Sequence, residues 1–298
     1  MDKLLIIGAS GLLGGKLYEY SRKNYEVHGT YNAHKAEFRN MHQLDVAKRA
    51  SVFRLFDEVQ PDLVVDTHAV SNVDYCELHP EEAWRINVEG TKNIAEACKT
   101  NGSKMVFISS DYVYEGSKAT PYSEKDKPHP INYYGRTKLI AEKTIEALDL
   151  DYIIGRTAVL FGISKSYDKT PFPLWIVEQL KANKEVSVVV DQYGNPTLTD
   201  TLAETLISLY EKDKSGLFNV AGKSTISRYE FAKIVAKEFG LNEKLIKPIT
   251  TSELNQPAKR PQKVALNVSK AEKAAKTKMI AANEAVRAFR EEFEKVHK

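Results

Sequence analysis

Three side chains in this sequence have the types and the order needed to protonate an alkoxide, namely Ser110, Tyr134 and Lys138. Tyr134 and Lys138 stand four residues apart, so a helix would place them on one face. An ammonium beside a phenol favours the phenolate and lowers the phenol pKa toward working pH. Tyr133 lacks such a partner, because Thr137 follows it at that spacing. The pattern predicts carbonyl reduction with Tyr134 as the acid.

The N-terminus supplies the context for this pair, which by itself also occurs by chance on solvated helix faces. An apolar run over residues 4–7 opens into a glycine-rich turn and then a helical stretch. Such a turn lets backbone N–H groups approach a pyrophosphate, and the helix N-terminus adds positive potential. The 3-3 glycine spacing differs from the usual 2-3 spacing. The turn predicts a dinucleotide site, and the residues expected to bind the cofactor there are Gly8, Ser10, Gly11, Leu12, Leu13 and Gly14.

Composition excludes several classes of function. The chain has 298 residues, 43 basic and 40 acidic, with a net charge of +3 and no dense basic block, which argues against nucleic-acid binding. Cys76 and Cys98 show neither metal-ligand nor disulfide spacing and predict reduced, buried thiols in a cytoplasmic protein. The first apolar run stops at Gly8, and no apolar run reaches the roughly 20 residues of a membrane span. We therefore expect neither a signal peptide nor a membrane partner.

Apolar, β-rich runs alternate with helical segments through the first half of the chain. This alternation predicts an α/β fold, a Rossmann-type doubly wound parallel sheet. The expected strands cover residues 4–7, 26–31, 63–66, 105–109 and 152–156. Beyond them we expect a loop over 161–173, a helix over 174–182, a strand over 186–191 and a helix over 225–239. Residues 1–155 are predicted to form the NAD(P)-binding domain and 156–298 mainly a smaller, interleaved substrate-binding region, with 183–220 packing back on the sheet domain.

Together these features resemble the extended short-chain dehydrogenase/reductase superfamily and, within it, the dTDP-4-dehydrorhamnose reductase family. That family also includes the methionine adenosyltransferase regulatory β subunit. The resemblance covers almost the whole chain. Its most specific motifs come late, as Gly-Asn-Pro-Thr at residues 194–197 and Arg-Pro at 260–261. The other matching stretches are the glycine turn, 73–74, 87–88, 110–116, 134–138, 156–157, 191–193 and Leu266.

The resemblance implies reduction of a nucleotide-linked 4-keto sugar, most specifically dTDP-4-dehydrorhamnose, by hydride from a nicotinamide. Tyr134 would protonate the alkoxide, Ser110 would hydrogen-bond the carbonyl oxygen, and Lys138 would bind the ribose and tune Tyr134. The further cofactor contacts that it implies are Tyr31, Asn32, Asp45, Val46, His68 and Ala69. The implied substrate contacts are Val73, Ser110, Asp111, Tyr112 and Arg260. For Arg260, the alternative is an arginine that ties down the C-terminal segment.

The end of the second predicted strand favours NADPH, with NAD as the other possibility. It reads Gly-Thr-Tyr-Asn at residues 29–32 and offers no carboxylate to repel a 2′-phosphate, while His34 and Lys35 follow closely. Related epimerases usually carry an acidic residue at this strand end. Related dehydratases place Asp-Glu after the hydroxyl residue, where this chain has Asp111 followed by Tyr112.

Departures from the family pattern leave the substrate and the catalytic status open. Val159 stands where rhamnose-pathway reductases commonly have Trp, and Asp66-Thr67-His68 replaces Asn-Ala-Ala, with His68 interpreted as a packing or hydrogen-bonding residue. Lys16 occupies the position of a glutamate that bridges Mg²⁺ in some dimeric members, so no metal is expected. A homodimer is possible. The rival hypothesis is a non-catalytic NADP-binding regulatory subunit like the adenosyltransferase β subunit.

Overall fold

The computed structural model describes residues 1–164 and 170–296. Its centre is a seven-stranded parallel sheet with the strand order β11-β6-β5-β4-β1-β2-β3. These strands are β1 Lys3–Ile7, β2 Glu26–Tyr31, β3 Met41–Gln43, β4 Leu63–Asp66, β5 Lys104–Ser110, β6 Tyr152–Thr157 and β11 Gly216–Asn219. The order reverses beside β1, which confirms the predicted Rossmann-type fold and puts a ligand crevice at the carboxyl ends of β1 and β4.

Helices cover both faces of this sheet, and each face buries its own apolar layer. In the described residues the α-helices are α1 Leu12–Ser21, α2 Arg49–Val59, α3 Val73–Leu78, α4 Pro80–Trp84, α5 Thr91–Asn101, α6 Tyr133–Glu146, α7 Phe172–Lys181, α8 Thr199–Glu211, α9 Arg228–Glu238, α10 Ser269–Ala275 and α11 Ala282–Val296. A π-helical turn, Arg85–Gly90, joins α4 to α5. None of the helices in this described part is long and apolar enough to cross a membrane.

The C-terminal half builds a third apolar cluster from short strand pairs and helices α7, α9 and α11. The strands here are β7 Leu160–Phe161, β8 Val186–Val189, β9 Tyr193–Gly194, β10 Thr197–Leu198, β12 Ile226–Ser227 and β13 Ile246–Ile249. Strand β7 pairs with β10, β9 with β12, and β8 with β13.

The five predicted strands of the first half all form, with ends that agree to within a residue. Sequence reasoning missed β3 and β11, because each is only three or four residues long and carries little periodic signal. Helix α7 begins at Phe172, earlier than predicted, since Pro173 is tolerated in a first helical turn. Residues 165–169 of the predicted loop 161–173 lie outside the described residues.

The segment 183–220 divides between the two halves. Strand β11 joins the central sheet beside β6 and α8 packs on α1, whereas β8 pairs with β13 in the C-terminal cluster. The domain boundary at residue 155 stays a prediction.

Lys16 on α1 is buried and lies between two acidic side chains of the C-terminal half. Its ammonium is 3.1 Å from a carboxylate oxygen of Asp200 and 2.5 Å from one of Glu292. Burial alone would lower the pKa of Lys16, but the two carboxylates outweigh it and the pKa is raised. Lys16 therefore links α1 to α8 and α11.

A buried ion pair fastens α6 to the sheet. Arg156 on β6 donates to both oxygens of Glu142 on α6, at 2.8 and 2.5 Å, and both residues are almost fully buried. Ser109 on β5 donates to the same carboxylate, and Arg156 also donates to the Tyr114 hydroxyl at 2.6 Å. Every polar group of the pair thus has a partner, which a buried charge requires. The network fixes the helix that carries residues 134 and 138.

Neutralising Glu142 is expected to destabilise the fold strongly, since Glu142→Gln leaves the buried Arg156 charge without a counter-ion. The expected loss is about 3–5 kcal/mol of unfolding free energy, measured by urea denaturation. The matched control is Glu146→Gln on the same helix, which breaks an exposed pair with Lys143 and should change stability by less than about 1 kcal/mol. Equal losses in the two variants would contradict the structural role of the buried pair.

Candidate functional site

The cleft at the carboxyl ends of the strands is closed on one side by α6, and the local sequence explains how closely α6 approaches. Asn132 caps the helix by accepting from the Gly135 backbone N–H at 2.8 Å. A Cβ on Gly135 would lie 2.1 Å from the carbonyl oxygen of Tyr112, so only glycine allows this contact. The Tyr134 ring therefore meets the Tyr112 ring edge to face, with 6.2 Å between centroids.

Ser110, Tyr134 and Lys138 all line this one cleft. The joint role that the sequence predicts for them requires this proximity. Ser110 ends β5, and the other two project from the first turns of α6. Burial raises the pKa of Tyr134, and a hydrogen bond with Ser110 opposes the shift. The phenol therefore holds its proton at neutral pH.

The pKa of the Tyr134 phenol is shifted by a different cause, and in the opposite direction, from the one predicted. The helical spacing predicts that Lys138 lowers the phenol pKa, but burial dominates and the pKa rises. Lys138 Nζ instead lies 4.0 Å from the centroid of the Phe107 ring. Burial lowers the pKa of Lys138 to about 8, against the opposing charges of Asp66 and Glu142. Spacing alone could not reveal this desolvation.

The turn after β5 brings a second acid to the site. Ser110 donates to Asp111 at 3.1 Å and accepts from the Tyr112 backbone N–H at 3.2 Å. Burial raises the pKa of Asp111 to about 7, opposed by the Ser110 hydrogen bond and by the charge of Arg228. The hydroxyl of Ser110 is thus held at the strand end, beside a carboxyl group that is partly protonated near neutral pH.

The glycine turn forms a narrow cradle at the start of α1. Gly8 adopts φ +84°, a conformation that glycine takes without strain. A Cβ on Gly14 would lie 2.2 Å from the Gly8 carbonyl oxygen, so a larger residue would push α1 away from the turn. Close helix packing of this kind is what a pyrophosphate site needs.

Two adjoining cavities extend from this turn and share Gly11, Thr67, His68 and Ala69. One contains the Ser110, Tyr134 and Lys138 side chains and also Leu12, Leu13, Gly14, Val73, Asp111 and Tyr112. The other is lined by further predicted residues, Gly8, Ser10, Tyr31, Asn32, Asp45 and Val46. An elongated crevice that crosses the glycine turn fits an extended dinucleotide, with one end at Ser110, Tyr134 and Lys138. The predicted site residues are brought together here, with one exception.

The exception is Arg260, whose guanidinium lies outside the residues that line the two cavities. It donates to both oxygens of Asp74 at 2.9 and 2.7 Å, and to the Ala258 carbonyl at 2.8 Å. Burial would raise the pKa of Asp74, but hydrogen bonds with Arg260 and Ala258 lower it. Arg260 thus ties down the C-terminal segment, as the alternative interpretation expected. A contact between Arg260 and the substrate stays a prediction.

His68 lies where the two cavities meet, and both of its ring nitrogens have partners. Nδ1 pairs with the buried Asp66 carboxylate, and Nε2 lies 3.0 Å from the Ile86 carbonyl oxygen. The imidazole is therefore held in place, which agrees with a packing and hydrogen-bonding role.

Two arginines of the cleft escaped sequence reasoning. Arg85 lines the cavity beside Tyr31 and Asn32, with its guanidinium 3.7 Å from Asp45. Arg228, at the start of α9, lines the cavity that contains Ser110, Tyr134 and Lys138. Neither belongs to a motif with a recognisable spacing, and only the tertiary structure brings them to the site.

Known proteins with similar sequences carry the names that the motifs suggested. The model of the RmlD substrate binding domain matches residues 2–295. A dTDP-4-dehydrorhamnose reductase from Aggregatibacter actinomycetemcomitans is 32% identical over 287 residues, which cover 92% of this chain and 93% of that protein. The methionine adenosyltransferase 2 subunit beta of Bos taurus is 31% identical over 277 residues, covering 91% and 81% of the two chains.

A solved structure agrees over nearly the whole fold. The dTDP-4-dehydrorhamnose reductase of Bacillus anthracis, determined in complex with NADP, superposes with a TM-score of 0.88 at 28% identity, covering 98% of this chain and 99% of that one. The resemblance drawn from the motifs is confirmed, and the chain belongs to the RmlD substrate binding domain family.

Proposed function

We propose that this protein is an NAD(P)H-dependent reductase of a nucleotide-linked 4-keto sugar, with dTDP-4-dehydrorhamnose as substrate and dTDP-rhamnose as product. The observation that carries the proposal is that Ser110, Tyr134 and Lys138 line one cleft that continues into the glycine cradle. The reductase from Aggregatibacter and the NADP-bound structure from Bacillus anthracis support the same class of oxidoreductase.

Each of the three side chains has a distinct role in the proposed reaction. When bound, the nicotinamide supplies the hydride. The Ser110 hydroxyl donates a hydrogen bond to the carbonyl oxygen and stabilises the charge that develops there. Tyr134 gives its proton to that oxygen, and its raised pKa keeps the proton available at neutral pH. The Lys138 ammonium binds the ribose hydroxyls and stabilises the phenolate left on Tyr134.

We further propose NADPH as the preferred cofactor, with NADH as the second substrate to be tested. The cavity at the end of β2 is lined by Tyr31 and Asn32, and neither carries a negative charge. His34 and Lys35, which the sequence suggested as cations, are exposed and do not line this cavity. Arg85 does line it, and would supply a cation for a 2′-phosphate in competition with Asp45, whose carboxylate lies 3.7 Å from the guanidinium.

A second candidate is the non-catalytic regulatory subunit, and the similarity to the adenosyltransferase subunit of Bos taurus favours it. The replacement of a sugar-packing Trp by Val159 points the same way. The discriminating observation is whether the untagged protein purifies with a partner enzyme. A lone, stable species that turns over a keto sugar supports the reductase.

The decisive experiment follows oxidation of NADPH and of NADH at the nicotinamide absorbance, with dTDP-4-dehydrorhamnose generated enzymatically. Tyr134→Phe should lower turnover by roughly 10²-fold or more, because it removes only the proton donor. Affinity for NADPH should stay close to that of the wild type. Tyr133→Phe is the matched control and should keep full activity. Unchanged turnover in Tyr134→Phe would remove this residue from its role.

Lys138→Met is expected to weaken NADPH binding and turnover together, since it deletes a ribose contact and the charge that stabilises the phenolate. Fluorescence titration of NADPH and steady-state rates measure the two effects. Lys143→Met, on the exposed face of the same helix, serves as the control. A variant that lost rate but bound NADPH normally would contradict the double role.

The activity should fall as pH rises through the pKa of Lys138, which is about 8. Below this pH the ammonium is charged and functional, whereas above it the neutral amine loses its effect on the phenolate. Tyr134 does not cause the fall, because its pKa is raised and its proton is retained over the same range. The measurement is kcat/KM from about pH 6 to about pH 10. A rate that stays flat across the whole range would rule out an essential Lys138 cation.

A further inference from the structure

One wall of the catalytic cleft carries Arg228, which has no part in the proton and hydride transfers. Arg228 lines the same cavity as Ser110, Tyr134 and Lys138, and it is partly exposed to that cavity. Its guanidinium lies 5.7 Å from the centroid of the Phe172 ring. The cation is therefore held near an aromatic face at the edge of the cavity.

The backbone around Arg228 is firmly positioned. Arg228 is the first residue of α9, and Ser227 caps this helix through a reciprocal pair of hydrogen bonds with Glu230, at 3.1 and 2.7 Å. The Arg228 N–H donates to the Gln192 carbonyl at 3.0 Å. Strand β12, which ends at Ser227, pairs with β9. The guanidinium thus projects from a rigid support, as a specific binding group should.

Strand β9, which pairs with β12, passes close to Asp111. A Cβ on Gly194 would lie 3.9 Å from the Asp111 carboxylate and 3.5 Å from the Val159 side chain. The charge of Arg228 acts on both Asp111 and Tyr112, lowering the pKa of each against the larger effect of burial. The Tyr112 side chain also forms a hydrogen bond with Arg228, which positions the guanidinium at the wall of the cavity. A guanidinium has five N–H donors, so others stay available to a ligand in the cavity.

Val159 shapes the same wall. It lines the cavity and has a φ of +40°, which is rare for a β-branched residue and costs backbone strain. Its carbonyl accepts from the Thr197 N–H at 3.0 Å, which helps to hold this conformation. A short side chain at this point leaves space in the cavity where a larger one would fill it.

We propose that Arg228 binds an anionic oxygen group of the substrate, and that Val159 leaves the room for this group. A planar guanidinium matches two such oxygens, from a phosphate or from a carboxylate. The source is the diphosphate of the nucleotide or, where the keto sugar is a uronate rather than dehydrorhamnose, the carboxylate of that sugar. The inference rests on the proposed function, since it assigns a contact to that nucleotide-sugar substrate.

The test is equilibrium binding to the NADP⁺-saturated protein by calorimetry, which needs no turnover. The probes are dTDP and UDP for the diphosphate, and UDP-glucose and UDP-glucuronate as neutral and acidic sugars. The variants are Arg228→Gln and Arg228→Lys, with Arg54→Gln on an exposed face of α2 as the control. NADP⁺ affinity of each variant reports whether the fold is retained.

If the diphosphate is the ligand, Arg228→Gln weakens binding of dTDP or UDP by roughly tenfold or more, and Arg228→Lys by less. If the sugar carboxylate is the ligand, both diphosphates bind normally and the preference for UDP-glucuronate over UDP-glucose disappears. The inference is overturned if every ligand that binds the wild type binds Arg228→Gln equally well. Failure of all four probes to bind the wild type would instead overturn the proposed nucleotide-sugar function, and this contact with it.

Discussion

The buried pair between Arg156 and Glu142 is the interaction on which the rest of the site depends. It joins the end of β6 to the middle of α6, and Ser109 and Tyr114 satisfy the remaining polar groups. Buried charges are costly unless their geometry and hydrogen bonding are complete, and here they are. One helical turn before Glu142 lies Lys138. The position of Tyr134 and Lys138 on α6 is thus set by a contact that lies outside the cavity they line.

Desolvation then decides the protonation of the site. Burial raises the pKa of Tyr134 and lowers that of Lys138, so each shifts toward its neutral form. For a reductase, a phenol that keeps its proton until an alkoxide forms is useful, because the proton is then transferred where charge develops. The neighbouring acid follows the same rule, since burial also raises the pKa of Asp111. The proposed chemistry therefore rests on a cleft that limits water as much as on the identity of its residues.

The C-terminal half adds a positively charged side chain, Arg228, to the cavity at the sheet edge. Strand β9 carries Gly194, and β12 leads into α9, which places Arg228 in a cavity whose other walls come from strand ends, the glycine turn and α6. Arg260 takes a different part and joins the C-terminal segment to α3 through Asp74. Arg260 thus joins the two halves through its ion pair with Asp74, whereas Arg228 lines the cavity between them.

The strand, glycine turn and helix at the N-terminus could be predicted from the sequence alone, as could the parallel sheet and the shared helix face of Tyr134 and Lys138. Each of these follows from local spacing, which dictates which residues share a helix face or end a strand. The tertiary structure was needed to show that burial dominates the pKa of Tyr134, that Arg260 pairs with Asp74, and that Arg85 and Arg228 line the cleft. These outcomes depend on contacts between distant segments and on exclusion of water, and neither is encoded in the spacing of neighbouring residues.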